Sequence, residues 1–111
     1  MGASKSDQFS EEHNQLAMWM KAMGHPARVA IIEFLLKANQ CICSDILDEL
    51  PLSQPTVSQH LKELKQAGII QGNVEGTAIC YCLNPETMKQ IRQRISGISD
   101  RLEEKQGSSC C

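Results

Sequence analysis

One change of period constrains this chain more than any other feature. Val57, Leu61 and Leu64 repeat at i, i+4 and i+7, the buried stripe of an amphipathic helix. Just beyond Gly68 the period drops to two, and Ile79, Tyr81 and Leu83 alternate as in a half-buried hairpin. Ile69 to Val74 and Thr77 to Leu83 therefore read as two strands, with Glu75-Gly76 at the turn. Upstream, Leu50-Pro51-Leu52-Ser53 is a tight turn after a short helix, Asp45 to Leu50, that Ser44 would cap. Ser53 starts the next helix with Pro55 in its first turn, and Gly68 stands where a left-handed C-terminal residue belongs. A short helix, a tight turn, a second helix and a hairpin make a winged helix-turn-helix.

The flanks complete a mainly α domain. Ser10 can cap a helix from Glu11 to Met23 with Leu16, Trp19, Met20 and Met23 on one stripe. Gly24-His25-Pro26 breaks it, and a second helix runs from Pro26 to about Leu36. Asn84-Pro85 opens a long final helix to about Lys105. Its residues Met88, Ile91, Ile95, Ile98 and Leu102 form a narrow seam of the coiled-coil kind. That seam, with Leu16, Trp19 and Met20, is the expected dimerisation face, because a core of this size already has partners for its inner faces. Three regions are expected: a flexible leader at 1–9, a winged-helix domain at 10–106 and a cysteine-containing tail at 107–111.

Composition limits the function classes. A 111-residue chain has room for one domain, and no run of eighteen apolar residues offers a membrane span. Six cysteines without a secretory signal point to reduced cytoplasmic thiols, not a disulfide framework. No Cys-x-x-Cys, glycine-rich phosphate loop or Ser-His-Asp set suggests an enzyme. The net charge of −2 means that any DNA-binding footprint is local and that non-specific affinity is weak.

With Val57, Leu61 and Leu64 turned inward, the second helix of the pair presents Ser53, Gln54, Pro55, Thr56, Ser58, Gln59, His60 and Lys62 outward or at its edge. Glutamine can bond adenine through both amide atoms, hydroxyls reach bases or phosphates, and lysine pairs with phosphate. Double-stranded operator DNA is the partner this face fits. A solvated helix carries the same residue types, so a winged module that binds protein is the rival reading.

At this point the chain resembles the ArsR/SmtB family of metal-responsive repressors. The resemblance rests on Gly24-His25-Pro26-Ala27-Arg28, Cys41-Ile42-Cys43, the run from Ser53 to Leu64, Ala67-Gly68-Ile69-Ile70, Glu75-Gly76 and Tyr81-Cys82-Leu83. It implies a homodimer paired through its first and last helices and released from its operator when metal binds. It also implies a thiolate site at Cys41 and Cys43, where no cofactor is obligatory and the bound ion is the inducer. As(III) is favoured, with Cd(II), Pb(II) and Zn(II) also suited to thiolates. Two thiols do not complete a three-thiolate As(III) site, and Cys110 and Cys111 in the tail are the expected remainder. Cys80 and Cys82 are expected on the strand face away from Tyr81, toward solvent or another element. A thiol redox or polysulfide sensor on the same fold remains open. The wing departs from the family in lacking arginines beside its turn, where Asn73, Val74, Thr77 and Ala78 stand.

Overall fold

A computed structural model describes residues 8–38, 41–43, 50–76 and 78–105. Helix α1 spans Glu11–Met23, α2 Pro26–Ala38 and α3 Gln54–Gln66, followed by strands β1 (Ile70–Glu75) and β2 (Ala78–Leu83) and helix α4 (Pro85–Lys105). The short helix expected over 45–50 lies, apart from Leu50, outside the described residues, as do 1–7 of the leader and all of the tail.

Local chemistry explains the boundaries. Ser10 Oγ accepts the His13 N–H at 3.1 Å, and Glu11 and Glu12 stand in the first turn of α1, where acidic groups favour the helix dipole. Asn84 Oδ1 accepts the Glu86 and Thr87 N–H groups and so starts α4. Gly68, at φ +77°, carries the chain from α3 into β1 through a conformation that side chains disfavour.

The strands pair antiparallel, Ile70 opposite Leu83 through Glu75 opposite Ala78, and Gly76 at φ +64° turns between them. A further segment joins this hairpin. Ile42 and Tyr81 exchange both backbone hydrogen bonds, at 2.9 and 2.8 Å, so residues 41–43 run antiparallel along the outer edge of β2.

One core collects Trp19 and Ala22 of α1, Ile31, Ile32 and Leu35 of α2, Val57, Leu61 and Leu64 of α3, and Ile42, Ala67, Ile69, Ile70 and Ile91. Trp19 is only 4% exposed, and its indole Nε1–H donates to the Ala67 carbonyl at 3.2 Å, so its polar atom is satisfied inside. The expected dimer seam divides accordingly. Trp19 and Ile91 are committed to the core of their own chain, a correction to their expected role at a dimer face. Leu16 and Met88 are half-buried against it, while Met20, Ile95, Ile98 and Leu102 remain exposed. No described helix is long and apolar enough to cross a membrane.

Candidate nucleic-acid interface and thiol cluster

Helix α3 separates its faces as its period requires. Val57 and Leu64 are fully buried, whereas Ser53, Gln54, Pro55, Thr56, Ser58, Gln59 and Lys62 are all exposed. Ser53 precedes the helix in extended conformation with no capping bond from its side chain; its hydroxyl instead pairs with that of Thr56 at 2.9 Å. Gln59 Nε2 donates to Glu63 Oε1 at 3.1 Å, one turn along, which holds the amide on the outer face. The result is a ridge of neutral donors and acceptors with one lysine, open to a groove-sized partner.

His60 does not belong to that ridge. It stands three residues after Val57, on the buried stripe, and is 8% exposed. Arg28 Nε donates to its Nδ1 at 3.0 Å, Arg28 Nη1 donates to the Ala22 carbonyl at 3.1 Å, and the His25 ring lies 4.4 Å from the His60 ring. Burial, then neighbouring His25 and Arg28, push the His60 imidazole below its ordinary pKa against a smaller opposing pull from Glu63. Its expected place on the DNA-facing side gives way to a structural role. His60 fastens α3 to the corner between α1 and α2 through Arg28 and His25. The signal was present in the sequence, since a histidine at i+3 from a buried valine falls on the apolar face.

The cysteines form the second constellation. Pairing of Ile42 with Tyr81 places Cys41 opposite Cys82 and Cys43 opposite Cys80, at the non-hydrogen-bonded positions where side chains approach most closely. Cys41 is disulfide-bonded to Cys82 and Cys43 to Cys80, with Cα separations of 4.4 and 3.8 Å. Cys80 is 1% exposed, Cys43 and Cys82 are half-buried and Cys41 is exposed. Asn73 Nδ2 donates a weak bond to Cys82 Sγ at 3.7 Å. The expectation that Cys80 and Cys82 face solvent or an unspecified element resolves into a pairing with Cys41 and Cys43 themselves. In this bonded form the described residues include no group of three or more His, Cys, Asp or Glu ready to hold a metal ion. Cys110 and Cys111 lie outside the described residues.

At the wing tip, Asn73, Val74 and Ile79 are exposed, with Val74 76% accessible, so the tip is polar and apolar but carries no described basic side chain.

Comparison with known proteins places this arrangement. A profile described as "Bacterial regulatory protein, arsR family" matches residues 25–71. An HTH-type transcriptional regulator of Methanocaldococcus jannaschii is 39% identical over 82 residues, 73% of this chain and 91% of its own length. The chain belongs to the ArsR family of transcriptional regulators. An arsenical resistance operon repressor of Staphylococcus xylosus is 30% identical to this ArsR-family chain over 88% of it and 90% of the relative. A Staphylococcus aureus homolog of the cadmium resistance regulatory protein CadC is 32% identical over 82% of this chain and 75% of its own. An ArsR-like regulator from Rhodococcus sp. RHA1 superposes with a TM-score of 0.69 at 21% identity, covering 92% of this chain and 100% of that one. The homodimeric winged helix-turn-helix domain of a Mycobacterium bovis protein gives 0.65 at 22% identity, covering 98% of each. These likenesses fix the fold as a winged helix. The relatives are transcriptional regulators and not enzymes, and this chain is a DNA-binding transcriptional repressor of their family.

Proposed function

We propose that the chain acts in the cytoplasm as a homodimer that represses by setting two α3 helices into successive major grooves, and that a thiophilic metal or metalloid at its cysteines releases it. The observation that carries this reading is the exposed ridge from Gln54 to Lys62, backed by a fully buried Val57 and Leu64. Dimerisation is supported by the apolar stripe of Met20, Ile95, Ile98 and Leu102, which the protomer leaves uncovered. A twofold axis would separate the recognition helices by roughly 34–36 Å on an inverted repeat. The inducer site centres on Cys41 and Cys43, and As(III) is favoured because thiolates suit soft ions. The arsenical and cadmium resistance regulators among the relatives support that class. Occupation of the thiols lowers operator affinity by a coupling of about 1–3 kcal/mol.

The test is a gel shift of the reduced chain on DNA from upstream of its own gene, with arsenite added. Gln59→Ala relaxes base preference, whereas Lys62→Ala weakens binding to all sequences and lowers the salt slope by about one. Release by arsenite that is undiminished in Cys41→Ser refutes the sensing site. A second reading, release by oxidation or polysulfide, is favoured by the two disulfides. Peroxide that releases the operator where arsenite does not selects it.

A further inference from the structure

Cys41 and Cys82 are joined not only to each other. Both stand in the wall of a cavity of about 540 Å³ whose remaining surface is largely apolar, with Ile32, Leu35, Leu36, Leu83 and Met88 around it. That volume falls in the range of small-molecule sites. The other pair, Cys43 and Cys80, does not border it.

We propose that the reduced Cys41/Cys82 pair is a site for a monosubstituted trivalent organoarsenical, with arsenic on the two sulfurs and the organic group in the cavity. The proposal rests on the metalloid reading above and narrows its ligand class. Arsenic carrying one carbon substituent takes two further bonds, so it needs two sulfurs close together and no third. Directly opposed residues of antiparallel strands supply such sulfurs, and the Cα atoms here are 4.4 Å apart. Cys41 and Cys43, two apart on one strand, have Cα atoms roughly 6.6–7 Å apart and so start farther from each other. The tail cysteines are not required.

The chemistry balances without a change of arsenic oxidation state. A phosphine reductant takes oxygen from water and leaves two thiols in place of the disulfide. The hydrated arsenical, R–As(OH)₂, then loses two As–O bonds and gains two As–S bonds, and the thiol protons leave with the hydroxyls as two waters. A phosphine also does not chelate arsenic, as a dithiol reductant would. The exposed Cys41 offers the first contact, and Cys82, half-buried at the cavity wall, closes the ring.

The experiment compares phenylarsine oxide with arsenite on the full chain reduced by phosphine. Intact-mass measurement should show one C₆H₅As group per chain. Alkylation after denaturation should leave Cys41 and Cys82 protected and Cys43, Cys80, Cys110 and Cys111 modified. Operator release should need about tenfold less phenylarsine oxide than arsenite, or less still, because the ring leaves water for an apolar wall. Leu36→Trp narrows the cavity from an exposed position, so it should weaken the response to phenylarsine oxide and leave that to arsenite unchanged. Protection of Cys110 and Cys111, or of Cys43 and Cys80, in place of Cys41 and Cys82 overturns the proposal. So does equal potency of the two arsenicals. A wild-type chain that stays on its operator with either compound refutes the metalloid reading itself, whereas release by arsenite alone refutes only this site.

Discussion

The two disulfides should be partly redundant in their effect on stability. Cys41–Cys82 spans 41 residues and Cys43–Cys80 spans 37, one nested inside the other. In the chain-entropy description, closing a loop of either length stabilises the folded state by about 4 kcal/mol, and the two values differ by only about 0.1 kcal/mol. Once one bond is closed, the second closes a ring of only about six residues, 41–43 and 80–82 around the first disulfide, and adds about 2 kcal/mol in the same description. Three chains should therefore separate cleanly. The double variants Cys41→Ser/Cys82→Ser and Cys43→Ser/Cys80→Ser should each lose about 4 kcal/mol on reduction and the wild type about 6, not the roughly 8 of two independent closures. Comparing oxidised with reduced forms of the same variant cancels the packing cost of replacing the buried Cys80. The assay is urea unfolding followed by circular dichroism at one fixed protomer concentration, since dimerisation makes stability concentration-dependent. A wild-type loss near twice that of either variant refutes the nesting argument. A loss below about 1 kcal/mol in all three chains refutes the cross-strand pairing.

Two further outcomes follow from the packing. His60 is held neutral, its folded pKa lying below the unfolded value, so its contribution is intact above the unfolded pKa of about 6.5 and falls away as the pH drops below that value. His60→Asn should flatten this acid-side loss in urea midpoints measured from neutral to mildly acidic pH, and a wild-type slope retained in the variant contradicts the Arg28–His60 assignment. Ile98→Glu, at a position 57% exposed in the protomer, should leave the helical circular dichroism unchanged yet shift sedimentation toward monomer, and an unshifted dimer removes α4 from the proposed interface.

Much of this fold was legible because its elements announce themselves locally. Ser10 and the acidic first turn start α1 where the cap rule puts them, and Pro85 opens α4 behind the Asn84 cap. Val57, Leu61 and Leu64 oriented α3 correctly because a 3.6-residue period leaves few choices. The same period should have withdrawn His60 from the candidate DNA face. Its polar neighbours along the run drew it there, and a half-buried arginine partner 32 residues upstream is not visible to such reasoning.

The cysteines show the harder limit. A period of two states which residues of a strand share a face, and it correctly set Cys80 and Cys82 apart from Tyr81. It does not state which segment lies alongside. That segment is residues 41–43, too short to show a period of its own, and it is attached by one pair of backbone hydrogen bonds between Ile42 and Tyr81 and by the two disulfides. Reading Cys-x-Cys as the approach to a helix made the two sulfurs look like neighbours in need of a distant third donor. Placed on a strand, the same two residues share a face, and each acquires a closer partner across the ladder. The pairing of Cys41 with Cys82 and of Cys43 with Cys80 thus follows from register, which local sequence does not encode when the partner strand is three residues long.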